Sequence, residues 1–108
     1  MELHNITSEL RTAAERLRNS SSELFHLARE RAEAEKNYRI ALAREIVKLK
    51  DAGQSVTLIS DIARGECADL KFQRDLSEAR YSAGRELLQS LQTQVSALQT
   101  ILKYQEEG

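Results

Sequence analysis

The sequence predicts an all-α protein: a long antiparallel helical hairpin, coiled-coil-like, with a short connector helix, assembling into an oligomeric helix bundle. Three observations predict it. The 108 residues contain no proline and only four glycines, whereas sheets need frequent turn residues. Ala, Leu, Glu, Arg, Gln and Lys, all strong helix formers, dominate the rest. Finally, apolar residues recur every three or four positions over most of the chain, which is the signature of an amphipathic helix or coiled-coil seam.

The first helix is expected over about residues 6–51. Leu3, Leu10, Leu17, Leu24 and Tyr38 share one heptad position, and Ile6, Ala13, Leu27, Ala34 and Ala41 share its companion. After Tyr38 the seam moves to Leu42, Ile46 and Leu49, a slip resembling a stutter. Asn19-Ser20-Ser21-Ser22 is a run of residues that favour caps and turns. It leaves two readings open, a continuous helix or a kink at 19–22.

Residues 52–66 read as an ordered connector with a short helix at about 57–64. Gly53 suits a helix C-terminus, and Ser55 or Thr57 suits the following N-cap. Leu58, Ile59 and Ile62 are expected to plug the end of the hairpin. The second long helix is expected over about 67–106. Its seam reads Leu70, Phe72, Leu76, Ala79, Ala83 and Leu87, then Leu88, Leu91, Val95, Leu98 and Leu102, with a change of register between Leu87 and Leu88. Folded back antiparallel, the pairing that brings most large apolar residues together sets Leu49 near Leu70, Ile46 near Phe72 and Tyr38 near Tyr81.

Two helices alone bury little, so self-association follows as an expectation, a dimer being favoured. Residues 87–102 hold no charged side chain, and interface centres are depleted in charge. The expected oligomer interface is therefore Leu10, Leu17, Leu24, Leu88, Leu91, Val95, Leu98 and Leu102. Charge is concentrated elsewhere. Arg39, Arg44, Lys48, Asp61, Arg64, Arg74 and Glu78 are the candidate partner-binding residues, offered on a rigid helix face to a groove on a target.

Composition excludes other classes. Cys67 is the only cysteine, so no disulfide scaffold exists; one free thiol fits a reducing compartment, and the expected location is the cytoplasm. No apolar run reaches membrane-spanning length, and residues 1–5 lack the basic start of a secretory signal. A net charge of -1 disfavours nucleic-acid binding by bulk charge. Gln54 to Gly65 has helix-turn-helix phrasing, but its neighbours are too long for that module.

No catalytic, cofactor or metal residues are expected. Glu23-x-x-His26 has the spacing used in di-iron bundles, yet the further inward glutamates are missing. Cys67 beside Glu66 reads as a small packed residue.

Residues 31–46, RAEAEKNYRIALAREI, then LISDIARG at 58–65 and LKFQRDLSEARY at 70–81, resemble small helical proteins of unknown function carried by temperate phages and prophages of Gram-positive bacteria. The resemblance covers about residues 25–105. It implies an accessory protein of the early or replication region and supplies no catalytic residues. The expected function is a non-enzymatic accessory protein that oligomerises and binds a host or phage protein complex, inhibiting a host enzyme or defence system. The alternative is a replication or recombination factor touching single-stranded DNA, with Tyr38 and Tyr81 available for base stacking.

Overall fold

A computed structural model describes residues 2–107. It contains three helices and, among the described residues, no strand: α1 (Leu3–Asp51), α2 (Val56–Glu66) and α3 (Ala68–Glu107).

Helix α1 runs 49 residues without a break, through Asn19–Ser22. The serine run is accommodated locally, since Ser21 Oγ donates to the Leu17 carbonyl at 2.9 Å. Its hydroxyl is thus satisfied on the helix itself and does not compete for a turn. Ser20 sits half-buried in the heptad phase of Ala13 and Leu27.

The C-terminus of α1 is a Schellman motif. Gly53 takes φ 76°, Gly53 N–H donates to Lys50 C=O and Gln54 N–H to Leu49 C=O, both at 3.0 Å. A left-handed residue there satisfies carbonyls that would otherwise be orphaned. Ser55 follows at the N-cap of α2; its hydroxyl lies 3.0 Å from that of Thr57 and makes no bond to the helix backbone.

These two glycines differ in kind. Gly65 lies inside α2 without positive φ, with nothing within 4 Å of the place a Cβ would occupy. Gly53→Ala is expected to destabilise by about 1–2 kcal/mol, because it forces an L-residue into the left-handed region. Gly65→Ala is expected to stabilise by about 0.5–1 kcal/mol through helix propensity. Paired urea titrations check both signs.

Contacts divide the chain into two units, residues 1–26 with 82–108 and residues 27–81. In the first, Ile6, Ala13, Leu91 and Leu98 are buried, while Leu10, Leu17, Leu24, Leu88, Val95 and Leu102 are half-buried. These are the heptad positions expected from the sequence, now spent partly on packing α1 against α3.

In the second unit Leu27, Tyr38, Ile59, Ala63 and Cys67 are buried. The side chains of α1 and α3 meet antiparallel here: Glu30 pairs with Arg80 at 3.0 Å and Glu35 with Arg74 at 3.6 Å. Arg31 stacks on Tyr81, and Arg74 on Tyr38.

This register corrects the expected one. Tyr38 meets Arg74, about two turns from Tyr81, and Tyr81 meets Arg31. The seam of α3 is corrected with it. Phe72 and Leu76 are 61% and 43% exposed, whereas Cys67 and Ser77 are buried and Arg74 and Tyr81 half-buried.

The reason lies in α2. Cys67 N–H donates to Ala63 C=O, and Cys67 C=O accepts from Lys71 N–H. Helical hydrogen bonding thus passes through the α2–α3 junction and carries the phase of the return arm from one helix to the next. That arm already starts at Val56. Burial of Ile59, Ala63 and Cys67 then places Arg74, Ser77 and Tyr81 inward by heptad spacing. Phe72 and Leu76 are carried outward as a consequence.

Candidate interaction surface

All seven candidate partner-binding residues fall in the unit of residues 27–81, but they do different things there. Arg74 is structural in its contacts. Its guanidinium lies 4.6 Å from the centroid of the Tyr38 ring, 3.0 Å from Asp75 and 3.6 Å from Glu35. The hydrogen bonds it donates to Asp75 outweigh desolvation, the next largest effect, and with the added charge effects of Asp75, Glu35 and Tyr38 hold it more firmly protonated than an ordinary arginine. Arg39 joins the same cluster through Glu35. A cation held over an aromatic face while paired with carboxylates is fixed in one rotamer, so this cluster locks α1 to α3.

Arg44, Lys48, Asp61, Arg64 and Glu78 are exposed and enter no ion pair or side-chain hydrogen bond among the described residues. Arg44 and Lys48 lie one turn apart on one side of α1. Arg39 is five residues before Arg44, hence about 140° round the helix. The seven residues therefore split into a locked cluster around Arg74 and a set of unengaged charges, in which Arg44 and Lys48 are the two cations that share one side of α1.

In the same unit, Glu30, Ala34, Asn37, Leu70, Gln73 and Leu76 line shallow hollows between α1 and α3. The apolar walls Leu70 and Leu76, 36% and 43% exposed, were not singled out as site residues from sequence. Both read as seam; the phase set by α2 turns Leu76 outward, whereas Leu70 keeps the heptad phase of the buried Ala63 and Ser77 and is nonetheless exposed.

Neither Tyr38 nor Tyr81, the two candidates for base stacking, offers a free ring. Tyr38 is 6% exposed, and Tyr81 carries Arg31 at 4.3 Å. Cys67 is a buried free thiol. No group of three or more His, Cys, Asp or Glu side chains is placed to hold a metal ion among the described residues, and no helix among them is long and apolar enough to cross a membrane.

No family model, no curated protein and no solved structure matches the chain.

Proposed function

We propose that this chain is a non-enzymatic helical interaction protein. It self-associates into a helix bundle, a dimer being the favoured form, from a hairpin in which α2 and α3 together return along α1. It then offers the unengaged charges of Arg44, Lys48, Asp61, Arg64 and Glu78 to a protein complex. In the context that the resemblance implies, that complex belongs to a phage or its host, and binding inhibits it.

One observation carries the self-association. A folded monomer of this mass exposes about 6,100 Å² of surface, and this chain exposes 7980 Å². The surplus is ~1,900 Å², and obligate interfaces remove at least ~1,000 Å² from each partner. The exposed large hydrophobics supply the material, among them Phe25 at 69%, Phe72 at 61% and Val47 at 57%. A charged, amphipathic helical layer of this kind is what helix-in-groove recognition uses.

Sedimentation equilibrium tests the reading. The expected mass at micromolar concentration is at least about twice 12.2 kDa, with a melting temperature that rises with concentration by mass action. A mass of one chain, together with a melting temperature independent of concentration, overturns it. Direct contact with single-stranded DNA is the competing outcome, and it requires affinity that falls steeply with salt.

A further inference from the structure

The third helix carries a second row of residues beside the one that packs on α1. In the unit of residues 1–26 and 82–108, Gly84, Leu88, Leu91, Val95, Leu98 and Leu102 of α3 are the buried or half-buried ones. Ala83, Leu87, Ser90, Gln94, Ala97 and Ile101 repeat at the same alternating four and three spacing, about 100° round the helix. All six are exposed, Leu87 by 48% and Ile101 by 40%. From Leu87 to Leu102 the helix carries no charge.

We infer that this row docks against the same row of a second copy, with the two α3 helices antiparallel. The inference rests on the self-association proposed above and adds the face and the orientation.

Three features select a copy of this chain as the occupant. The surplus of exposed area is the size that an obligate interface removes from each partner. An uncharged helix face loses no ionic hydration when covered, unlike the charged faces of the chain. The row is also complementary to itself in reverse. Its spacing reads the same in both directions, so an antiparallel copy sets Ala83 opposite Ile101, Leu87 opposite Ala97 and Ser90 opposite Gln94. Large residues then meet small ones, and the two polar residues meet each other, as close packing requires.

A parallel copy fails on the same grounds. It sets Leu87 on Leu87 and Ile101 on Ile101, leaves gaps at the alanines, and brings Glu86, which flanks the row, towards its own copy. The hydroxyls of Thr93 and Thr100 already donate to carbonyls of their own helix at 3.1 Å. The Gln94 amide and the Ser90 hydroxyl make no such bond among the described residues, and they are available across the interface. A shallow hollow beside Gln94, lined by Ser8, Glu9, Thr12, Ala13 and Arg16 of the same unit, leaves room for the incoming side chains.

Cross-linking with single-cysteine chains tests both face and orientation, in a Cys67→Ala background with a short bismaleimide. Chains carrying Ala83→Cys and chains carrying Ile101→Cys are mixed. The expected result is a cross-linked dimer from the mixture and almost none from either chain alone, because antiparallel pairing holds like positions about 27 Å apart along the axis at 1.5 Å per residue. Dimer formed by each chain alone overturns the orientation.

Leu87→Glu with Ile101→Glu, both at exposed positions, is the second arm. The expected result is at least tenfold weaker self-association with unchanged far-UV circular dichroism. If the unaltered chain sediments as an oligomer while neither arm responds, this face is rejected and self-association stands. If the unaltered chain is a monomer, both fall.

Discussion

Truncating Tyr38 to alanine is expected to cost about 3–5 kcal/mol, the range for removing a large aromatic side chain from a packed site. Tyr38 is 6% exposed and the only buried aromatic residue among those described. Its ring also carries the Arg74 guanidinium at 4.6 Å. Removing it leaves a cavity between α1 and α3 and frees Arg74 from the face that orients it, so the pairings with Glu35 and Asp75 loosen together. Small domains hold only about 5–15 kcal/mol in total, so the loss is a large share of the stability. Tyr38→Phe keeps the ring and is expected to change stability by less than about 1 kcal/mol. Urea unfolding of both variants measures the difference; equal midpoints for Tyr38→Ala and the unaltered chain would show that the antiparallel register of this unit is wrong.

Reversing two charges on α1, Arg44→Glu with Lys48→Glu, is expected to weaken binding to the target complex by about 100-fold while helicity and melting temperature stay unchanged. Both side chains are exposed. Among the described residues they have no ion-pair or hydrogen-bond partner, so the folded state loses little when they change. The loss should shrink as salt is raised, since screening already weakens the unaltered pair. Arg74→Glu makes a poor probe for the same purpose. It puts a carboxylate over the Tyr38 ring and beside Glu35 and Asp75, and would lower stability and binding alike. Titration of each variant against the complex captured from cells, followed calorimetrically, separates the cases. Undiminished binding by the Arg44 and Lys48 variant removes these residues from the surface.

The two unit cores show how far local pattern reaches. In α1, heptad spacing from Ile6 to Leu27 marks the residues that become buried or half-buried, because a helix of fixed pitch returns every seventh residue to one face. The same logic holds from Leu88 to Leu102. It fails between Leu70 and Leu87, where two rows run side by side. The more apolar one, Phe72 and Leu76, is outside, while Arg74 and Ser77 are turned inward. Residue hydrophobicity favoured the wrong row there. Arg74 can face inward because its stem lies along apolar surface and its head finds the neighbouring Asp75 together with Tyr38 and Glu35, two partners more than thirty residues away in sequence. The candidate surface was legible to the same degree. Its residues were named by charge, and charge alone does not distinguish the locked Arg74 from the unengaged Arg44.

What the amino-acid order determined unaided is the helical class, the near absence of punctuation outside residues 51–66, the glycine turn at Gly53 and the uncharged stretch of 87–102. All of these are consequences of bonds and contacts within one or two turns. Only the tertiary structure decided which side of α3 meets α1 and which charges are already spent. Those depend on the hydrogen-bonded passage through Cys67 that transmits the phase of α2 into α3. A helix turns by 100° per residue, so a small difference at that junction selects the entire face presented downstream.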